Sequence, residues 1–115
     1  NHIAAVGGVG PAIRAARDAV HHLVRIEVEV TDEAELAEAL AEGADGVLLD
    51  NMDDARIAAC VQQVRADAPH VFVEASGNMD AARLAALARV GLDVVSVGGF
   101  VHQARWADLS LRVTS

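Results

Sequence analysis

Aromatic residues and cysteines are scarce in this sequence of 115 residues. Only 3% of the residues are aromatic although 53% are hydrophobic, so the core must be built mainly from Ala, Val, Leu and Ile. Such a mixture suits helices packed on a parallel sheet, whose strands are typically short Val/Ile/Leu runs. The single cysteine, Cys60, cannot form an internal disulfide. The helical pattern around Cys60 favours a core position. A single cysteine without a disulfide partner is typical of a protein in a reducing compartment, so we expect a cytoplasmic location.

Clustered positive charge and long apolar runs are missing as well. The net charge is −8 and the chain has no block of Lys or Arg. This argues against nucleic acid and anionic membranes as partners, because both require a clustered positive surface. No apolar run is long enough to span a bilayer, and there is no signal-peptide pattern. We expect one domain over residues 1–115. Because the chain starts at Asn1, in a stretch (NHIAAVGGVGP) that we predict to be a loop, we expect a fragment or a processed chain.

Most of the chain repeats one unit, a strand followed by a helix. The predicted strands are RIEVEV, GVLLD, HVFVEAS and LDVVSVGG. The predicted helices are PAIRAARDAVHHL, TDEAELAEALAEGA, MDDARIAACVQQVRADAP and MDAARLAALARVG, and the tail FVHQARWADLSLRV is predicted to be a helical turn and an extended segment. The alternation predicts an α/β fold with a parallel sheet and right-handed crossovers. Four units form half of an eight-fold barrel or most of a doubly wound sheet, and the pattern leaves both open.

Acidic residues end three consecutive predicted strands. They are Glu29, Asp50 and Glu74, at the edge where ligands bind in parallel α/β folds. Packing alone would not select acids at these positions. The alternative is that they cap the helices that follow, which is weaker for Glu29 because Thr31 and Asp32 are better caps. We therefore predict that this edge binds a ligand.

Small residues form the loops after the third and fourth predicted strands. Ser76, Gly77 and Asn78 make up one loop, and Gly98 and Gly99 lie in the other. Without bulky side chains, backbone N–H groups in such loops can approach an anion, and ordinary turn chemistry is the alternative. Carboxylates beside anion-binding loops suit a phosphorylated sugar that carries Mg²⁺, since Mg²⁺ takes one or two carboxylates together with phosphate oxygens.

The strand EVEV places two carboxylates on one face. Glu27 and Glu29 point away from Val28 and Val30, because side chains alternate along a strand. Burying two such charges in a packed interior would be costly. We therefore expect this face to line a wet, polar interior. Glu29 is expected to reach the substrate, and Glu27, which lies deeper, is expected to pair with a cation.

Six stretches of the sequence resemble one enzyme family in order and spacing. NHIAAVGG, IEVEV, GVLLDNM, VEASGN, GLDVVSVGGFVH and ADLSL closely resemble the quinolinate phosphoribosyltransferases, also called nicotinate-nucleotide pyrophosphorylases (carboxylating), in the C-terminal half of their catalytic domain. The resemblance covers essentially the whole chain. It implies the C-terminal half of an open TIM-like α/β barrel, whose N-terminal domain and first strands are absent from this chain. It also implies conversion of quinolinate and phosphoribosyl pyrophosphate to nicotinate mononucleotide, pyrophosphate and CO₂ in NAD biosynthesis, by a homodimer that uses Mg²⁺.

The resemblance also implies roles for individual residues. Glu29 and Asp50 match an acidic pair near the ribose hydroxyls and the Mg²⁺ of the phosphoribosyl donor. Asn1 and His2 match the end of a Lys-Asp-Asn-His motif near the active site, and Glu74 lies near the same site. The phosphate contacts are implied for Ser76, Gly77, Asn78, Gly98, Gly99 and His102. Asn stands in that loop where the family commonly has a second glycine, and it tolerates left-handed backbone.

Recognition of the quinolinate carboxylates has no convincing candidate in this sequence. Arg25 and Arg105 are the nearest cations, and neither matches the family's motif. The chain also has no Ser-His-Asp or Cys-His arrangement, which fits a reaction without a protein nucleophile. Two alternatives remain at this point. One is a relative linked to molybdenum transport, with the same fold, although NHIAAVGG and LLDNM favour the quinolinate enzyme. The other is a phosphate-binding fragment without catalytic activity.

Overall fold

A computed structural model describes residues 2–97, which form a parallel sheet and five helices. The elements in chain order are α1 (His2–Val6), α2 (Val9–Ala19), β1 (Glu27–Val30), α3 (Glu33–Ala41), β2 (Gly46–Asp50), α4 (Asp54–Asp67), β3 (Phe72–Ser76), α5 (Ala81–Leu87) and β4 (Val94–Ser96). The alternation of strands and helices is therefore confirmed. The predicted tail over residues 100–113 lies outside the described residues. None of the helices within residues 2–97 is long and apolar enough to cross a membrane.

The strand order distinguishes between the two predicted architectures. The four strands are all parallel and follow the order β1-β2-β3-β4. A doubly wound sheet reverses its strand order at a switch point, whereas a barrel adds each new strand beside the previous one. The described strands show no reversal. The sheet is therefore built as a segment of a barrel is built.

The N-terminal segment is helical, so the prediction of a loop there was wrong. Between α1 and α2, Gly7 and Gly8 have positive φ angles of 90° and 134°. The amide of Gly8 donates to the carbonyl of Ile3 at 3.0 Å, which closes the first helix. Pro11 lies in the first turn of α2, where a backbone N–H has no helical partner in any case. The residues that suggested a loop instead form the boundary between two helices.

Aspartates begin three of the helices. Asp32, Asp53 and Asp80 each accept a hydrogen bond from the backbone N–H three residues later, at 2.8–2.9 Å. A cap of this kind stabilises a helix by about 0.5–2 kcal/mol. Asp32 was among the predicted caps. Because α3, α4 and α5 all have dedicated caps, neither Glu29 nor Asp50 has a capping role in the described residues.

One face of the sheet packs against the helices. Its side chains alternate along the first three strands and are all buried, namely Val28, Val30, Val47, Leu49, Val73 and Ala75. Leu36 from α3 and Ile57 and Cys60 from α4 are fully buried in the same core. The predicted core position of the cysteine is confirmed. The side chains that alternate with this set lie on the opposite face of the sheet, which we call the open face.

Candidate functional site

The open face carries the predicted carboxylates in layers. Register pairing through Leu48 places Glu29 of β1 and Glu74 of β3 in one layer across the sheet. The next layer toward the carboxyl ends of the strands consists of Asp50, Ser76 and Ser96. Glu27 lies one layer closer to the amino ends, in register with Gly46. The structure therefore gathers the predicted acids on one face, as the alternation of EVEV indicated.

Only one of the three acids ends its strand, which corrects the prediction for the other two. Asp50 is the last residue of β2, whereas Val30 follows Glu29 in β1, and Glu74 is the third of five residues in β3. Ser76 occupies the end of β3 because it pairs in register with Asp50. Glu29 and Glu74 thus lie one layer below the rim of the sheet.

Hydrogen bonding orients one of these deeper carboxylates. The hydroxyl of Ser96 donates to the carboxylate of Glu74, so β4 holds the side chain that β3 presents. Burial raises the pKa of Glu27, and the negative charge of Glu74 raises it further. The described residues form no ion pair with Glu27. Its expected cationic partner is therefore not found within residues 2–97.

The loops after β2 and β3 touch each other at the rim. The amide of Asn51 donates to the carbonyl of Ser76 at 3.1 Å. Gly77 has a φ of 138°, and a Cβ added there would lie 3.4 Å from the Cα of Asn51. A glycine is required by this backbone conformation and close approach. The turn therefore accounts for the glycine, and binding of a phosphate by this loop stays a prediction.

A cleft of about 430 Å³ opens between the N-terminal helices and β1. It is lined by His2 and Ile3 from α1, by residues 12, 13 and 16 from α2, and by residues 26–29, including Glu27 and Glu29. The structure thus brings His2 to the same cleft as Glu29. The helical start of the chain, which was predicted to be a loop, is what places His2 there.

Several predicted residues are not part of this cluster. Asn1, Gly98, Gly99, His102 and Arg105 lie outside the described residues, so the second phosphate loop stays a prediction. Arg25 precedes β1 and borders a separate pocket with Asp45 and Phe72, at the amino ends of the strands. It therefore lies at the opposite edge of the sheet from Asp50.

The donor set of the open face suits one kind of metal binding. Within residues 2–97, no three His, Cys, Asp or Glu side chains form a group that could hold a metal ion. Glu29 and Asp50 nevertheless present carboxylate oxygens from neighbouring strands. Mg²⁺ commonly takes one or two protein carboxylates and fills its other positions with water and phosphate oxygens. These residues therefore fit a Mg²⁺ that arrives with a phosphorylated ligand.

Arg83 connects the two rim loops, and the sequence analysis did not identify it. Its Nη1 donates to the carbonyl of Asn78 at 2.7 Å, and its Nη2 donates to the carbonyl of Met52 at 2.5 Å. Its Nε donates to Oδ1 of Asp54 at 2.6 Å. The available signal was a short repeat, Asp-x-x-Arg, which occurs at residues 53–56 and again at 80–83.

Comparison with known proteins identifies the family. The family model for the quinolinate phosphoribosyl transferase C-terminal domain matches residues 1–112. The human nicotinate-nucleotide pyrophosphorylase (carboxylating) is 37% identical over 113 residues, which cover 98% of this chain and 38% of the human protein. The Mycobacterium leprae protein of that name is 39% identical over 111 residues, covering 96% and 39%. The crystal structure of NadC from Streptococcus pyogenes superposes with a TM-score of 0.78 at 36% identity, over 98% of this chain and 39% of that chain.

These matches extend over almost all of the chain and over one part of each relative. The chain spans about two fifths of the length of the curated relatives it matches. The likeness to NadC agrees with the predicted C-terminal half of a TIM-like α/β barrel. The chain belongs to the quinolinate phosphoribosyl transferase family, and it corresponds to the C-terminal domain of that family.

Proposed function

We propose that this chain is the part of a quinolinate phosphoribosyltransferase that binds the phosphoribosyl donor. The enzyme would convert quinolinate and phosphoribosyl pyrophosphate to nicotinate mononucleotide, pyrophosphate and CO₂, a step of NAD biosynthesis. One observation carries the proposal. Glu29 and Asp50 lie on the open face of neighbouring strands, beside the Ser76–Asn78 loop, in a chain whose length is matched by the family.

In the proposed reaction, the bond between the pyridine nitrogen and the ribose forms before the bond between the ring and its 2-carboxylate breaks. The pyridine nitrogen attacks C1 of the ribose, the C1–O bond breaks and pyrophosphate leaves. The C–C bond to the ring's 2-carboxylate then breaks, CO₂ departs, and the electron pair left on the ring carbon takes up a proton. Neither step requires a protein nucleophile. Catalysis of this kind depends on positioning and on electrostatic stabilisation of developing charge.

Glu29 and Asp50 are proposed to act on the ribose. Their carboxylates would accept hydrogen bonds from its hydroxyls and stabilise the positive charge that develops at C1 as pyrophosphate leaves. When bound, Mg²⁺ would neutralise pyrophosphate charge, with these carboxylates as its protein ligands, directly or through water. Glu74 is held by Ser96 one layer below Ser76, which suits it to shape the floor of the site.

The rim loop is proposed to hold the phosphate groups. Ser76 offers a hydroxyl, and the loop from Gly77 to Asn78 offers backbone N–H groups without bulky side chains around them. Gly98, Gly99 and His102 complete the proposed phosphate site, and Asn1 and His2 are proposed to lie near the acceptor. The arginines beside this rim in the described residues, Arg56 and Arg83, donate to acceptors within the chain and are not proposed to recognise the quinolinate carboxylates. We propose that the cations that bind those carboxylates come from the rest of the protein, that the protein is a cytoplasmic homodimer, and that nucleic acid is not a partner.

The decisive experiment measures CO₂ released from carboxyl-labelled quinolinate by the full-length protein. Assays with and without phosphoribosyl pyrophosphate and Mg²⁺ serve as matched controls. We expect release only when donor and metal are both present. If the protein binds phosphoribosyl pyrophosphate in calorimetry but leaves quinolinate untouched, the donor site is right and the acceptor is wrong, as for a relative with another substrate. If neither binding nor CO₂ release is detected, the proposed function is refuted.

A further inference from the structure

We propose that Arg83 is a positioning residue, which holds the loop after Asp50 and the loop after Ser76 at a fixed separation. Its effect on catalysis rests on the function proposed above, whereas its effect on the loops does not. Arg83 lies behind the rim. It is not among the carboxylates or the loop residues that were predicted to bind the ligand. The proposal follows from three contacts of one side chain and from the repetition of two of them around Arg56.

Both the backbone and the side chain of Arg83 are held in place. The residue is the third of α5, and its amide donates to the cap residue Asp80 at 2.8 Å. The side chain of Arg83 is 19% exposed. It donates one hydrogen bond to each of three acceptors, namely the carbonyls of Met52 and Asn78 and the carboxylate of Asp54. A planar guanidinium offers donors in fixed directions, so these three groups are held relative to one another.

The acceptors lie close to the proposed site in sequence. Met52 is two residues after Asp50, and its own side chain is 2% exposed in the core, which makes it a firm anchor. Asn78 is two residues after Ser76. Arg83 therefore ties the phosphate loop to an anchored point beside the catalytic carboxylate. A displacement of about 1 Å in such a site can reduce the rate by about 100-fold.

A similar arrangement occurs in the preceding strand-helix unit, around Arg56. This residue is the third of α4, and its amide donates to the cap residue Asp53 at 2.9 Å. Its Nε and Nη2 donate to the two carboxylate oxygens of Glu33 at 2.9 and 2.7 Å, and Nη2 also donates to the carbonyl of Thr31 at 3.3 Å. The hydrogen bonds from Arg56 lower the pKa of Glu33 to about 2.

Two of the three contacts of Arg83 correspond position by position to contacts of Arg56, whereas the contact with the carbonyl of Asn78 has no counterpart there in the described residues. Glu33 and Asp54 are the first residues of their helices, and Thr31 and Met52 each come directly before a cap residue. Each arginine thus reaches back from one helix to the start of the previous one. Successive rim loops are linked in this way, from the loop after β1 to the loop after β3. The repetition indicates that the contacts of Arg83 with Asp54 and Met52 are a feature of the repeating unit, and the later unit adds the contact with Asn78.

The test uses the full-length protein with substitutions Arg83→Met and Arg83→Lys, and Arg65→Met as the matched control. Arg65 donates to the carbonyls of Gly91 and Val71 and to Asp93, a comparable set of bonds at the opposite edge of the sheet. We expect Arg83→Met to lower kcat/KM for phosphoribosyl pyrophosphate roughly 10- to 100-fold more than the control does. The KM for quinolinate should change little, and Arg83→Lys should recover part of the loss. Equal kcat/KM values for the methionine variants at positions 83 and 65 would overturn the proposal.

A second readout separates this proposal from the proposed function. If the wild-type protein does not release CO₂ from quinolinate, the proposed function fails, and amide hydrogen exchange then decides the role of Arg83. We expect the amide of Asn51, which donates to the carbonyl of Ser76, to exchange faster in the Arg83 variants than in Arg65→Met. Unchanged protection of this amide, in Arg83→Lys as well as in Arg83→Met, would refute the positioning role.

Discussion

At the scale of single residues, Asn51 shows how the rim is shaped. It is the only non-glycine residue with a positive φ within residues 2–97, at 52°. Asn and Asp tolerate this left-handed conformation better than other side-chain-bearing residues. The conformation turns the chain directly after Asp50 and lets the amide of Asn51 reach the carbonyl of Ser76. Local backbone strain here serves to bring two strand ends together.

Substitution of Asn51 tests this strain. Asn51→Ala is expected to destabilise the protein by about 1–2 kcal/mol, because an alanine in the left-handed region brings its Cβ close to the carbonyl oxygen. Asn51→Gly is the matched control, since glycine adopts the conformation without that clash. The free energies of unfolding from denaturant titration provide the comparison. Equal stability of the two variants would contradict the assignment of strain to this residue.

The proposed role of Glu29 is also tested at this scale. Glu29→Gln keeps the size of the side chain and removes its charge, so turnover of the full-length enzyme should fall by about 100-fold or more while the fold is retained. Steady-state kinetics and thermal unfolding measure the two effects. Asp67→Asn is a suitable control, because it removes one negative charge from the exposed last residue of α4, away from the open face. Turnover like that of the wild type in Glu29→Gln would eliminate the proposed role.

At the scale of elements, an arginine and an aspartate make the same contacts at two places along the edge of the sheet where the amino ends of the strands lie. Arg17, near the end of α2, donates to the carbonyl of Gly43 and pairs with Asp45. Arg65, near the end of α4, makes the same contacts with Gly91 and Asp93. Each aspartate also accepts a backbone N–H at 2.8 Å, from residue 26 and residue 73 respectively. The Gly-x-Asp sequence before β2 and before β4 therefore fastens the start of each strand to a neighbouring strand and helix.

This device predicts a loss of stability in acid. The hydrogen bond from Arg65 lowers the pKa of Asp93, and the amide of Val73 lowers it further. A depressed pKa means that the stabilisation is complete above the ordinary value of about 4 and is lost as pH falls through the folded-state value. Asp93→Asn should therefore be less stable than the wild type at pH 7, and the difference should shrink below about pH 4. The pair of Arg65 and Asp93 is partly exposed, so solvent screening limits its contribution to the free energy of unfolding to about 1 kcal/mol or less.

Thermal unfolding between pH 2 and pH 7 measures this dependence. Asp18→Asn, at an exposed aspartate of α2, controls for the general effect of removing one negative charge. A difference between wild type and Asp93→Asn that stays constant across this range would show that the ionised carboxylate is not what stabilises the junction.

At the scale of the whole molecule, the open face concentrates negative charge in a chain of net charge −8. Within residues 2–97, four carboxylates lie on this face, from Glu27, Glu29, Asp50 and Glu74. The covered face of the same sheet carries only apolar side chains in the first three strands. The two faces therefore have opposite character, and the open one suits a polar ligand or cations rather than a packed core.

The surroundings of Glu27 on the open face give a second dependence on pH. The pKa of Glu27 is raised, first by burial and then by the charge of Glu74. A raised pKa means that the folded state holds the proton more tightly than the unfolded state, so the penalty from Glu27 is present at pH 7 and disappears as pH falls through the folded-state value toward about 4.3. Glu27→Gln should therefore be more stable than the wild type at pH 7, with a gain that shrinks over that window.

Thermal unfolding at high and low ionic strength adds a control for Glu27→Gln. Added salt screens charges that lie near the surface, so the gain from removing the repulsion should be smaller in high salt. If Glu27→Gln is instead less stable than the wild type at pH 7, the full-length protein supplies a cation to Glu27, as the spacing of EVEV first suggested.

Local patterns in the sequence determined much of this fold. The alternation of EVEV assigned its acids to one face, and Asp32 marked a helix start, because both effects act between residues that are one to four positions apart. The alternation of strands and helices also placed Asp50, Ser76 and Gly77 at one edge of the sheet. These features could be predicted because their causes lie within short stretches of chain.

Only the tertiary structure decided which predicted residues lie on the rim or below it, and which distant residues hold them in place. The register between strands places Glu74 below the rim and Ser76 on it, and the sequence pattern alone had put both at a strand end. Helix α1 brings His2 to the cleft, and Arg83 reaches Met52 from 31 residues away. Such contacts depend on how whole elements are placed against each other, because a hydrogen bond between distant residues forms only once both are held in position by the packed sheet and helices.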